Sequence, residues 1–398
     1  MISVGIDISK GKSMICFLKP YGEVVREAYE IQHSDSELNK LVEDILSFDE
    51  EVKVVMEATG IYHLPVLTVL KEHNIFVSVI NPLIMKKYSV MGLRKVKTDK
   101  MDAIKIANYG IDQWFKLINY EISDTVYSEL KILGRQYSHY ISMRIASKVS
   151  LGNLLDRTMP GIKTLLNNRP DKPEKDKLND FIKEYWHYDN ITKKSEKQFI
   201  NSYLKWTQKK GYRHSEAKAK QIYALAQESI PTLPSNNAST KMLLLEAVRV
   251  LSTIDKTLHI ILTQMQELAR TLKEYDVVRD MPGVGDTLAP RLIAEIGDIR
   301  RFHNKKALIA YAGIDAPPFE SGQFVANKRR ISKRGSALLR KTGYEVMKCI
   351  KSNKPDDPIY LYMLKKEAEG KSKKVAKIAA LNKFLRIYFA RVSGAYLA

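Results

Sequence analysis

The chain has 398 residues, with 65 Lys and Arg against 45 Asp and Glu, a formal net charge of +20, and 44% hydrophobic residues. That composition excludes a chain disordered throughout and supplies apolar material for two or three cored domains. No run of about 18 uncharged apolar residues occurs, and the start MISVGIDISKGK lacks a basic-then-apolar order, so neither a membrane span nor a secretory signal is expected. The two cysteines, Cys16 and Cys349, lie far apart and give no disulfide framework, which suits a reducing cytoplasm.

In chain order, the first 117 residues predict a mixed α/β sheet domain of order βββαβαβα. Ser3 to Asp7, Ser13 to Lys19 and Glu23 to Tyr29 read as strands, with Pro20-Tyr21-Gly22 as a turn between the last two. Ser36 to Leu46 carries Leu38, Leu41, Ile45 and Leu46 at helical spacing, and Val52 to Met56 is a buried-type strand ending at Glu57. Tyr62 to His73 reads as a helix, Phe76 to Ile80 as a fifth strand closed by Asn81-Pro82, and Asp99 to Tyr109 as a helix.

Residues 118–275 change character. An irregular helical stretch, 124–156, precedes a seam from Leu244 through Leu251, Ile254, Leu258 and Met265 to Leu272, in alternating steps of three and four. Such a seam packs either within its own chain or against a second copy. Between the two stretches, Pro160, Pro170, Pro173, Pro231 and Pro234 bracket a charged helical insert at about 157–237, with Trp186 and Trp206, which reads as an appendage and not a core.

Residues 276–398 form the third predicted domain. Met281-Pro282-Gly283-Val284-Gly285 before the helical stretch Thr287 to Ile296 is like a helix-hairpin-helix turn, in which Gly283 and Gly285 would offer backbone N–H groups to a phosphate. An irregular stretch, 315–323, leads to the basic residues Lys328, Arg329, Arg330, Lys333 and Arg334. A helix from Ser336 bearing Arg340 follows, and Lys371 to Arg391 predicts a final basic helix. Net charge rises along the chain, −1 over residues 1–117, +8 over 118–275 and +13 over 276–398. A surface of that sign draws phosphate backbones in a salt-dependent way, although a solvated charge run would read the same.

Four acids stand where the predicted topology would gather them: Asp7 on the first strand, Glu57 ending the central strand, and Asp99 with Asp102 at i, i+3 opening the last helix. Clustered carboxylates repel, so the set makes physical sense around a hard divalent cation, Mg²⁺ or Mn²⁺, that holds phosphate oxygens. Taken singly, Asp99 reads equally as a helix cap and Glu57 as a solvated strand end.

Gly5-Ile6-Asp7-Ile8-Ser9-Lys10, Met56-Glu57-Ala58-Thr59-Gly60-Ile61-Tyr62 and Lys97-Thr98-Asp99-Lys100-Met101-Asp102-Ala103 resemble the DEDD blocks of insertion-sequence transposases with a RuvC-like, RNase H-like N-terminal domain. Pro282 to Gly285, Glu295 to Asp298, Phe302, Ala310 to Ile314, Ser321-Gly322 and Lys333-Arg334-Gly335 with Leu339-Arg340 resemble the same family's serine-bearing C-terminal domain. The resemblance implies a recombinase that excises and inserts its own element. Ser321 is then the nucleophile forming a phosphoserine link to DNA, and Asp7, Glu57, Asp99 and Asp102 hold the metal. Without the resemblance Ser321 is an ordinary loop serine before a glycine, with Ser332 and Ser336 as neighbours. The family also implies a noncoding guide RNA from the element, with double-stranded DNA at element ends and target as substrate. Strand exchange between two duplexes implies a homodimer or tetramer. Lys328, Arg329, Arg330, Lys333, Arg334 and Arg340 become phosphate contacts. Two readings compete: a RuvC-like Holliday-junction nuclease that uses water as nucleophile, and a non-catalytic nucleic-acid-binding protein.

Overall fold

Ile2, Val4, Ile6 and Ile8 alternate with Ser3, Gly5 and Asp7 along β1 (Ile2–Ser9), so one face of the strand is wholly apolar and the other is nearly bare. The computed structural model describes residues 1–90, 98–121, 125–166, 175–317, 320–321, 324–325 and 330–397, which divide into two compact units, Met1–Ile122 and Ser123–Ala398.

In the first unit β1 pairs antiparallel with β2 (Lys12–Leu18), and β2 antiparallel with β3 (Val24–Gln32). After α1 (Asp35–Leu46), β4 (Val52–Glu57) lies parallel to β1; after α2 (Leu64–Glu72), β5 (Val77–Ile80) lies parallel to β4. Helices α3 (Pro82–Val90) and α4 (Asp99–Asp112) complete it. The strand order β3-β2-β1-β4-β5 is the mixed sheet expected of an RNase H-like domain. β5 closes before Asn81-Pro82 as expected, and α3 is an addition: Pro82 also opens a helix, with Asn81 Oδ1 accepting from Leu83 N at 2.9 Å.

The two faces of the sheet are covered differently. Ile2, Val4, Ile6, Val54 and Met56 pack under Leu38, Leu41 and Ile45 of α1 and Val66, Leu67 and Leu70 of α2. The opposite face takes α4 alone at close range. A Cβ on Gly5 would lie 2.3 Å from both Ala103 O and Ala107 N, and one on Gly110 would lie 2.1 Å from Ser3 Oγ. Small residues on both partners thus set the α4 backbone directly on β1.

The second unit is built on two long helices, α5 (Thr125–Thr158) and α11 (Ala238–Arg270). The predicted seam is filled from within the chain. Tyr127, Leu130 and Tyr137 of α5 share a core with Ile254, Leu258 and Met265 of α11, while Leu151 and Leu155 share one with Leu244 and Leu251, which makes the pair antiparallel. Arg144 and Asp255 form an ion pair across it. These α11 positions are at most 6% exposed, so the in-chain alternative holds for them, while Ile261, Leu268 and Leu272 are partly buried.

Between the long helices come α6 (Ile162–Leu166), α7 (Lys177–Tyr185), α8 (Asp189–Thr192), α9 (Glu196–Lys210) and α10 (Glu216–Glu228). The expected coreless appendage is instead a cored bundle. Phe181 and Tyr185 on α7 and Phe199, Tyr203 and Trp206 on α9 recur at spacings of three and four, and their rings pack together 4.7 to 6.3 Å apart. Charged residues on the outer faces masked that stripe in the composition.

Helices α12 (Tyr275–Arg279), α13 (Gly285–Ile296), α14 (Lys305–Ala312), α15 (Ala337–Asn353), α16 (Pro358–Ala368) and α17 (Lys373–Leu397) close around the other end of the α5–α11 pair. Two short strands, β6 (Glu320–Ser321) and β7 (Phe324–Val325), pair antiparallel between α14 and α15. The core joins Leu292 and Ile293 to Val346, Ile350, Leu381 and Phe384. Buried Glu274 accepts from Tyr127 (2.6 Å) and from Tyr396, tying the end of α17 to the start of α5. No helix among the described residues is long and apolar enough to cross a membrane.

Replacing Gly5 with Val forces α4 off β1. Overpacking of this kind costs about 1–3 kcal/mol, more where the obstacle is backbone. The expected result is a lower urea midpoint for the first unit, read by circular dichroism, whereas Val in place of Ser3 is tolerated better.

Candidate active site and nucleic-acid interface

Asp7 and Glu57 are the next positions after the paired residues Ile6 and Met56 on adjacent parallel strands, so the two carboxylates stand side by side at the strand ends. Alternation puts them on the face of Gly5 and Val55, the face that α4 crosses. Thr98 caps α4 by accepting from Met101 N at 3.2 Å, so the cap is Thr98 and not Asp99. Asp102 then falls in the first turn. Its charge, after burial, is the second cause that pushes the Glu57 carboxyl above the usual carboxylate range.

Lys105, one turn on, holds Asp102 at 2.7 Å and supplies positive charge at this end of the sheet. Asp99 is exposed, and its field reaches Lys12 on β2, whose ammonium pairs mainly with Glu30 at 2.8 Å. The fold therefore brings Asp7, Glu57 and Asp102 to one end and one face, with Asp99 nearer the β1–β2 hairpin. Among the described residues no three His, Cys, Asp or Glu side chains are gathered closely enough to hold a metal ion. The donors fit a hard divalent cation in kind, being carboxylates of which Glu57 is raised by burial and by the charge of Asp102, and Lys105 pairs with Asp102. Lys105 was not singled out from the sequence, although its i, i+3 spacing from Asp102 was there to be read.

In the second unit the segment around Ser321 grows from a stalk. Ser332 N donates to Asp315 O (2.8 Å), Lys333 N to Gly313 O (2.9 Å) and Ser336 N to Tyr311 O (2.7 Å). Gly335 is obligatory in it, because a Cβ there would lie 1.9 Å from Tyr311 O. Arg340 Nη1 donates to the carbonyls of Ala312 and Gly335, both at 3.0 Å, and to that of Ser336. Above the stalk Ser321 ends β6, opposite Phe324 of β7.

The neighbouring serines have other work. Ser332 Oγ donates to Asp315 Oδ1, while Ser336 Oγ caps α15 and donates to buried Glu295 at 2.8 Å. Arg330, Lys333 and Arg334 are exposed or nearly so around the stalk, whereas Lys328 and Arg329 lie outside the described residues. Arg340 is a staple for backbone carbonyls. Gly285 is open to solvent at the start of α13, but a Cβ on Gly283 would meet Ile350 at 2.6 Å, so that glycine serves packing against α15.

Two sequence models match the chain in order: a DEDD transposase of the IS110 type over residues 4–160 and the Transposase IS116/IS110/IS902 family over residues 275–360. Between them they take in more than half of the chain. The chain belongs to the IS110 family of transposases. Transposases cut and rejoin DNA strands, which sets aside the non-catalytic reading. The chain is 23% identical over 393 residues to the pilin gene-inverting protein of Moraxella bovis, covering 97% of this chain and 94% of that one. It is 20% identical over 391 residues to the insertion element IS110 43.6 kDa protein of Streptomyces coelicolor, covering 98% and 93%. Among solved structures, RuvC of T. thermophilus with a Holliday junction substrate is 14% identical, covers 29% of this transposase and 96% of its own chain, and gives a TM-score of 0.23.

The Glu57 shift has a definite sign. Below the ordinary glutamate range the group is protonated folded and unfolded and contributes nothing to pH dependence. As pH rises through the raised folded value, the folded transposase must ionise Glu57 against burial and Asp102, so stability falls there. In chelator, Glu57→Gln is therefore expected to raise the melting temperature of the first unit at pH 8 and to leave it unchanged at pH 3.5. For Arg340→Gln the expected change is a lower melting temperature, with duplex-DNA affinity in the remaining folded protein nearly unaltered.

Proposed function

We propose that this transposase recombines DNA by a serine nucleophile and a carboxylate-bound divalent metal. The observation that carries the reading is the placement of Asp7, Glu57 and Asp102 at one end and face of the sheet, with Glu57 raised by burial and by the charge of Asp102. Asp7, Glu57 and Asp102 would hold the cation, Mg²⁺ or Mn²⁺, with Asp99 as an outlying fourth acid. When bound, it stabilises charge that develops on the phosphate in transit.

Ser321 is the serine we assign as nucleophile. Its support is the family resemblance together with the structural commitments of Ser332 and Ser336. Attack of its Oγ on a DNA phosphodiester would form a serine–phosphate bond and release a 3′ or 5′ hydroxyl. A hydroxyl of the partner strand would later displace the serine, so the phosphodiester is conserved and no external energy source is needed. Arg330, Lys333, Arg334 and, beyond the described residues, Lys328 and Arg329 would hold phosphates of the strand being joined. Gly285 at the start of α13 is a further backbone contact.

Double-stranded DNA at the element ends and target is the proposed substrate. A noncoding guide RNA would supply sequence choice, which suits a strongly basic chain without a recognisable base-reading module. A homodimer or tetramer would supply the several active sites that strand exchange requires, in the cytoplasm where the element resides. The whole-length likeness to a pilin gene-inverting protein favours recombination, with rejoining, over cleavage by water alone.

Strand exchange on a plasmid carrying joined element ends and flanking DNA tests the reading. Asp7→Ala is expected to lower recombination by about 10²-fold or more, and Ser321→Ala to abolish both recombination and the covalent protein–DNA adduct. Cutting by Ser321→Ala would transfer the chemistry to a water nucleophile, and cutting in chelator would remove the metal.

A further inference from the structure

The face where α5 meets the insert carries two adjoining hollows, an open one of about 390 Å³ and a more enclosed one of about 180 Å³. Lys148, Gly152 and Lys163 border both. We infer that the inner hollow receives a single unstacked nucleobase, with its flanking phosphate held between Lys148 and Lys163.

Size comes first. An apolar cavity of about 150 Å³ holds a benzene ring, whereas pockets for drug-sized ligands run to about 300–1,000 Å³. The inner hollow thus suits one planar ring, and a pyrimidine better than a purine. Its apolar side comes from four helices, with Leu151 of α5, Leu166 of α6, Leu178 of α7 and Leu251 of α11, and its polar side from Asp176 and Asn179, where Asp176 Oδ1 accepts from Asn179 N at 3.0 Å. Such walls accept the faces of a base and exclude a bulky ion.

Polarity comes second. Asn179 lines the hollow and is 4% exposed, and its Oδ1 has no hydrogen-bond partner among the described residues. An orphaned buried acceptor is costly, so it marks a place where a ligand donor belongs. A side-chain amide pairs well with the adjacent donor and acceptor on the edge of a base. On a pyrimidine that pair lies on the Watson–Crick edge, which is free only in a single strand, because in a duplex it faces the complementary base.

Charge comes third. Lys148 is exposed and makes no ion pair among the described residues, while Lys163 shares its charge with Asp156 at 3.2 Å. Gly152 borders both hollows, and its carbonyl accepts from Lys163 Nζ at 3.4 Å, which seats that ammonium where they adjoin. Outside, Ile145 and Val149 are 58% and 59% exposed beside these lysines, an apolar shelf for the next sugar or base. The class of ligand follows from the chain's being a transposase and does not depend on the guide-RNA proposal. The shared chemistry is an unpaired base on a phosphate backbone, whether RNA or displaced DNA.

The test uses the full chain and fluorescence anisotropy with labelled 12-nucleotide oligocytidylate as RNA and as DNA, and an abasic DNA strand of the same length. Asn179→Leu is expected to weaken binding of the base-bearing strands about tenfold, leave the abasic strand unchanged and not lower the melting temperature. Lys148→Gln, a surface change that spares folding, is expected to weaken all strands and to reduce the slope of log affinity against log salt by about 0.7. The tighter of the RNA and DNA arms identifies the source of the strand. Unchanged affinity of Asn179→Leu for oligocytidylate, equal losses on base-bearing and abasic strands, or an unchanged salt slope for Lys148→Gln would each overturn the assignment.

Discussion

Contact between the backbone of α4 and β1 is the constraint on which the acidic site depends. Gly5 and Gly110 leave no side chain in the way, and Ala103 and Ala107 present the smallest possible helix face. The helix axis is thereby fixed close to the middle of the sheet. Helical geometry carries that precision to Asp102, while strand pairing fixes Asp7 and Glu57 to each other. Burial and the charge of Asp102 both act against ionisation of Glu57. Rigid backbone geometry holds the carboxylates together against that repulsion.

The second unit solves a different problem, that of anchoring the segment between α14 and α15, in which Ser321 ends β6. Three backbone hydrogen bonds pair residues 311–315 with residues 332–336, and one guanidinium gathers the carbonyls left over. The segment therefore has a firm base on both sides, at residues 311–315 and 332–336. The α5–α11 pair is equally divided in its work, with the C-terminal helices cored at one end and the aromatic insert at the other.

Much of this was legible in the sequence, and the boundary is physical. Alternation in Ile2 to Ile8 and the apolar run Val52 to Met56 reveal strands because burial on one or both faces leaves a pattern of period two or none. Glu57 and Asp102 were legible as members of a set, since each alone reads as an ordinary strand end or first-turn acid and only the order of the acids along the predicted topology, with the family resemblance, marks them. Pro82 was legible as the end of a strand but not as the start of α3, because proline serves both, and Asn81, which accepts from Leu83 N, marks the helix. The role of Gly283 was hidden because a glycine needed for packing and one needed for phosphate approach are the same letter; Ile350 decides it, from far along the chain. The intrachain closure of the α11 seam was undecidable in the same way, since a heptad pattern does not name its partner. Arg340 read as one more cation, and only the carbonyls around it show that its charge faces inward.

The position of α4 also orders events during synthesis. Asp7 emerges from the ribosome first, Glu57 next, and Asp102 only with the last helix of the domain. At about 5–20 residues per second, β1 waits several seconds for the helix that covers its bare face. Until then Gly5 and Ser3 offer no apolar surface that would hold a substitute, and the acids are not arranged. A nascent or prematurely ended chain thus lacks the acidic cluster, which comes together only with a completed domain.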